Sequence, residues 1–149
     1  MPSRMPPPPE LHWLVVLGLS VATLGMFFYI WCIALGIWAN KAQRSPFTLL
    51  LYIAAVALLV FEIVYSADAT PGSFEASMSS LIHLAGAVPM IWANFRVRDL
   101  IIDYSSSVAG PWITCNGVLV FLFGPIYLQY KITEVRSYVR EAAAFARPS

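Results

Sequence analysis

Four apolar stretches dominate this chain: residues 11–39, 46–66, 77–95 and 111–130. Each is close to, or longer than, the roughly 20 residues that cross a bilayer as a helix. Only 11% of the residues are charged, against roughly 25% in a soluble domain. Such a chain cannot cover a water-facing surface. Its sequence predicts an all-α, integral-membrane four-helix bundle. The punctuation agrees. Pro9 and Pro46 sit where helices begin, and there a missing N–H costs nothing. Ala69-Thr70-Pro71-Gly72 reads as a turn between the second and third stretches, and Gly110-Pro111 opens the fourth. Trp13, Trp38, Trp92 and Trp112 fall near span ends, as an aromatic belt requires.

Residue spacing predicts which faces turn inward. In the first stretch Gly18, Ala22, Gly25, Tyr29, Cys32 and Gly36 recur at alternating steps of four and three. Small residues let helices approach closely in lipid, so Gly18, Ala22, Gly25, Cys32 and Gly36 are the expected packing positions. Thr48, Tyr52, Ala55, Leu59, Glu62 and Ser66 repeat the rhythm in the second stretch. Ala76, Ser80, His83, Ala87, Met90 and Asn94 repeat it in the third. Three polar or small seams predict a left-handed bundle with those seams inside.

The flanks divide into an arm, an extension and a tail. Residues 1–10 are rich in proline and read as a short polyproline II spacer, or as a ligand for a proline-reading groove. A stretch of nearly thirty apolar residues follows, too long for a secretory signal core. After the third stretch, Val97, Leu100, Ile101 and Tyr104 share one helical face. That segment reads as a helix continuing out of the membrane or as an amphipathic turn upon it. Residues 131–149 form an amphipathic tail, with Ile132, Val135 and Val139 opposite Arg136, Arg140 and Glu141. Such a face binds lipid headgroups or a partner helix. With four crossings the basic residues divide almost evenly between the two sides, and the basic tail favours cytoplasmic termini.

Glu62 is the residue that most needs a reason, because a carboxylate within a bilayer costs several kcal/mol unless it is paired or reached by water. Counting along four crossings brings His12, Glu62 and His83 toward one membrane face. Three uses fit them. Glu62 and His83 form an interhelix hydrogen bond or a proton or solute path. His12, Glu62 and His83 ligate a divalent metal. His12 and His83 hold haem or a chlorin pigment.

Nothing in the sequence points to catalysis. There is no Gly-rich phosphate loop, HExxH, CxxC or GxSxG. Cys32 and Cys115 read as small packing residues. The net charge of +1 argues against nucleic-acid binding.

The segments LHW…TLGMFFYIW (Leu11 to Trp31), NFRVRDLIIDY (Asn94 to Tyr104) and GVLVFLFGPIYLQYKI (Gly117 to Ile132) together resemble a group of small bacterial membrane proteins. These share a Thr-Leu-Gly-hydrophobic-Phe element in span one and Tyr-x-Gln-Tyr at the end of span four. The matching residues here are Thr23, Leu24, Gly25, Met26 and Phe27, then Tyr127, Gln129 and Tyr130. Gly124-Pro125 departs from an unbroken fourth span and implies a kink there. The group carries no established activity. The resemblance therefore implies a bacterial inner-membrane protein with four spans and transfers no site residue. Together these readings predict a non-catalytic subunit of a larger membrane complex or a homo-oligomer, needing no cofactor. Its partners are the bilayer, other membrane proteins or copies of itself. The alternatives are an oligomeric proton, ion or small-solute transporter using Glu62 and His83, and a haem, pigment or metal carrier using His12 and His83.

Overall fold

The computed structural model describes residues 5–66, 70, 72–107 and 113–145. Among them every regular element is a helix: α1 (Trp13–Ala22), α2 (Met26–Gln43), α3 (Phe47–Ser66), α4 (Phe74–Ser107) and α5 (Gly117–Phe145). Three helices, α3, α4 and α5 as far as Glu141, are long and apolar enough to cross a membrane. The all-α bundle and its membrane character are thus as expected. Four uninterrupted spans are not what the chain forms.

Residues 11–39 are two helices rather than one. α1 ends in a Schellman motif: the Gly25 N–H donates to the Ser20 carbonyl at 2.7 Å and the Leu24 N–H to that of Val21 at 3.2 Å. Leu24 and Gly25 both take positive φ, 51° and 91°. The Thr23 hydroxyl then accepts from the Phe27 N–H in the first turn of α2 at 2.9 Å. The chain doubles back at this point. The Trp38 indole donates to the Pro6 carbonyl at 3.1 Å, although a straight helix would separate Trp13 from Trp38 by about 37 Å. The arm between Pro6 and Trp13 spans at most about 25 Å. α1 lies against α2 and α5, and its buried face is Val16 and Ser20.

A second sharp turn divides the fourth apolar stretch. Gly124 has φ 47° and ψ −127°, a region closed to residues with a Cβ. A Cβ there would also lie 3.1 Å from Asn94 Nδ2. Beyond the turn, the Tyr127 hydroxyl accepts from the Asn116 N–H at 3.2 Å, whereas a straight helix would hold those residues about 16 Å apart. From Pro125 onward the helix runs through residue 130 without a break, so the amphipathic tail continues the same element.

These turns rewrite the packing expected of the small-residue stripe. Gly36 does pack closely: a Cβ there would meet Tyr52 Cδ2 at 3.0 Å and Leu49 Cα at 3.1 Å. Cys32 is fully buried, with its thiol 3.7 Å from the Met90 sulfur. Gly18 and Ala22 are exposed, and nothing lies within 4 Å of a Cβ built on Gly18 or Gly25. The reason is the reversal, which resets the helical register between Ala22 and Met26. Gly25 forms a turn instead of a helix contact.

The core gathers at one end of the bundle. Leu35 and Trp38 of α2, Val97, Leu100, Ile101 and Tyr104 of α4, and Leu128, Ile132 and Val135 of α5 form a single buried cluster. α4 thus continues as one helix through the segment after the third stretch, and its apolar face is the one the sequence predicts. The tail stripe of Ile132 and Val135 is likewise buried within the chain. Trp38, expected in an interfacial belt, is a core residue and stands edge-on to Tyr104. At the other end α3 and α4 form an arm flanked by the first half of α2, leaving Phe61, Val64, Leu81 and Leu84 exposed. Trp112, Asp68 and Gly110-Pro111 lie outside the described residues.

Candidate functional site

The α3–α4 seam holds the polar groups that the sequence singles out. On α3 the inward residues are Thr48, Tyr52 and Ala55, as expected, with Glu62 half-buried further along. On α4 the buried positions are Ser79, Gly86, Ala93 and Asn94. Asn94 was expected there, whereas Ser80 and His83 are exposed. α4 is rotated by about one residue from the predicted seam in its first half. The small residues Ser79, Gly86 and Ala93 follow each other at heptad spacing, which is the signal in the sequence that identifies this face.

Three polar clusters line the seam. Nearest the α3–α4 connection, Ser79 donates to Glu62 Oε1 at 2.8 Å, and His83 Nδ1 lies 3.6 Å from Glu62 Oε2. The Glu62 carboxylate is largely covered, while the His83 ring is 65% exposed. The pair forms because Glu62 at one end of α3 and His83 in the antiparallel α4 share a depth. Further along, the Tyr52 hydroxyl donates to Asn94 Oδ1 at 2.8 Å, with both groups buried. At the far end Arg96 Nε donates to Thr48 at 3.2 Å and its terminal nitrogen to Gln43 Oε1 at 3.3 Å. Its guanidinium sits 5.1 Å over the Phe47 ring. The sequence reading assigned no role to Arg96. Between the first two clusters the close contact is apolar, with Gly86 against Leu58, Leu59 and the Ala55 backbone.

His12 does not join Glu62 and His83. It caps the start of α1, its Nδ1 accepting from the Leu14 N–H at 3.3 Å, and α1 lies against α2 and α5, away from α3 and α4. The expected convergence assumed that residues 11–39 cross once in a single direction. The reversal at Thr23–Gly25 removes that premise. Among the described residues no three His, Cys, Asp or Glu side chains are grouped to hold a metal. Cys32 and Cys115 are both free and buried.

The N-terminal arm is docked on the chain itself. Pro8 is buried, the Pro6 carbonyl is held by Trp38, the Leu11 carbonyl accepts from Gln129 Nε2, and Glu10 pairs with Arg136 at 2.7 Å. The proline run acts as a strap from α2 to α5. Charge collects at this end of the molecule. Arg98 donates to the Cys115 carbonyl at 2.9 Å. Burial pushes the Cys115 thiol up, while Lys131 and Arg98 pull it down. By contrast, no Lys or Arg occurs anywhere from Ser45 to Phe95.

No family model, curated protein or solved structure matches this chain.

Proposed function

We propose that this chain is a non-catalytic integral-membrane protein that serves as a structural or assembly subunit, joined to another membrane protein or to further copies of itself through the α3–α4 arm. The supporting observation is the Glu62–His83 pair. Its imidazole stands exposed beside Leu81 and Leu84. Ionisable side chains within the membrane turn toward protein or water, since lipid offers them no partner. A neighbouring transmembrane helix supplies what the chain itself does not.

In this reading α3 and α4 cross the bilayer, while the α1–α2 hairpin and the kinked α5 enter from the side that holds the α2–α3 connection and return to it. Both ends of the described chain then share that side with every Lys and Arg among the described residues, and the α3–α4 connection lies opposite. The positive-inside rule makes the basic side cytoplasmic, which fits a bacterial inner membrane.

The test is native mass spectrometry of the protein released from its own membranes in lipid discs. The expected particle is heavier than the 16.5 kDa chain and loses its added polypeptide in His83→Leu. A bare monomer overturns the proposal. Oligomeric proton or solute transport is the second reading, carried by Glu62, which accepts a hydrogen bond from Ser79 and lies 3.6 Å from His83. It predicts flux into proteoliposomes that Glu62→Gln abolishes.

A further inference from the structure

A cleft of about 210 Å³ opens between the start of α1 and the second half of α5. His12, Arg136 and Arg140 line it, together with Glu10. The one carboxylate is already engaged, since Glu10 holds Arg136 at 2.7 Å. Arg140 has no carboxylate partner among the described residues. The hydroxyls of Thr133 and Ser137 also line the cleft, but they donate to the carbonyls of Gln129 and Glu134. The groups left to recognise a ligand are therefore cationic or N–H donors. His12 contributes to these: its Nδ1 accepts from a backbone N–H, so the neutral ring carries its proton on Nε2. The complementary ligand is an anion with several acceptor oxygens, of the phosphate class.

A second feature says which kind of phosphate. Val15, Gly18 and Ala22 share one face of α1, and Leu11 precedes it in the extended arm beside the cleft; all four are exposed. A Cβ on Gly18 would have open space around it, so the face is shallow at its middle. Leu11 belongs to both the cleft and the stripe. The helical part of the stripe runs about 10 Å from Val15 to Ala22, Leu11 continues it to the cleft, and it is apolar throughout; such a path suits part of an acyl chain within one leaflet. Tyr130 stands edge-on to Trp13 at 5.8 Å beside it, an aromatic pair of the kind found at headgroup depth.

We propose that α1 and α5 form a binding site for one anionic phospholipid. Its headgroup phosphate lies against Arg136, Arg140 and His12, and an acyl chain follows the Leu11–Val15–Gly18–Ala22 stripe. This inference rests on the reading of the chain as an integral-membrane protein. It gives the small-residue stripe of α1 a use that does not require helix packing.

The test uses the full-length protein, delipidated in detergent, with bound lipid counted by native mass spectrometry during titration with phosphatidylglycerol, phosphatidylcholine or inorganic phosphate. The expected result is preferential retention of phosphatidylglycerol. Arg140→Gln then weakens it about fivefold, the scale of one basic side chain at an anionic membrane surface, and Arg140→Lys restores most of the loss. Gly18→Leu, which fills the acyl path, weakens phosphatidylglycerol without changing inorganic phosphate. Equal retention of the two lipids, or an unchanged Arg140→Gln, overturns the proposal. Inorganic phosphate binding as tightly as phosphatidylglycerol, with Gly18→Leu silent, overturns the lipid assignment and makes this a soluble-phosphate site. Lipid increments and polypeptide increments are separate masses, so failure here is distinguishable from failure of the subunit reading.

Discussion

The two ends of this molecule solve the same packing problem in opposite ways. At the basic end α1, α2, the second half of α4 and α5 converge on one core, with Leu35, Leu100, Leu128 and Ile132 almost wholly buried. Two sharp backbone turns make this possible, since they return α1 and α5 to the same end. At the opposite end α3 and α4 bury only a narrow seam of small residues and leave their flanks open. α2 meets α3 there across an apolar groove lined by Ile30, Ile33, Val56 and Val60. One end is finished within the chain. The other leaves an apolar surface exposed. The difference separates residues that hold the fold from residues that present a surface.

Substitutions sharpen that contrast. Leu128→Ala, in the finished core, is expected to cost the most, about 2–5 kcal/mol through lost contacts and a residual cavity. Its thermal unfolding in detergent should fall well below wild type, and an unchanged midpoint would mean that the core is not where the fold is held. Gly124→Ala should follow at about 1–3 kcal/mol, because alanine does not accept the backbone angles of that turn. Asn94→Gly in the same chain should recover the part of this cost that comes from crowding against the amide. Additive effects would show that the backbone angle alone matters. Tyr52→Phe removes the hydroxyl that satisfies Asn94 and should cost about 1 kcal/mol, the scale of interhelical hydrogen bonds in membranes. The smallest effect belongs to the arm: Leu84→Ala should change stability by less than about 0.5 kcal/mol. A large loss there in the isolated monomer would abolish the distinction between the two ends.

Gly25→Leu also changes meaning. As a stripe residue it would report assembly. As the second residue of a Schellman turn at φ 91°, it reports folding of the α1–α2 hairpin, with a cost of about 1–2 kcal/mol.

Much of this could be read from the residues in order. Low charge and long apolar runs determined an all-α chain with helices long and apolar enough to cross a membrane, because a bilayer admits a helix whose length and hydrophobicity match it. The rhythm of Thr48, Tyr52, Ala55 and Glu62 determined the inner face of α3, since helical period fixes which side chains share a side. The face of Val97, Leu100, Ile101 and Tyr104 was legible for the same reason. Chain direction was not. Hydropathy counts apolar residues without a sign, so a run of 29 residues reads identically whether it continues or reverses. Tertiary structure alone showed that the chain reverses at Leu24 and Gly25 so that Pro6 reaches Trp38; a kink at Gly124-Pro125 was legible, but not that it folds the chain back until Tyr127 reaches Asn116. Those reversals separated His12 from Glu62 and His83. They also brought His12 beside Arg136 and Arg140, residues more than a hundred positions away whose meeting no local pattern encodes.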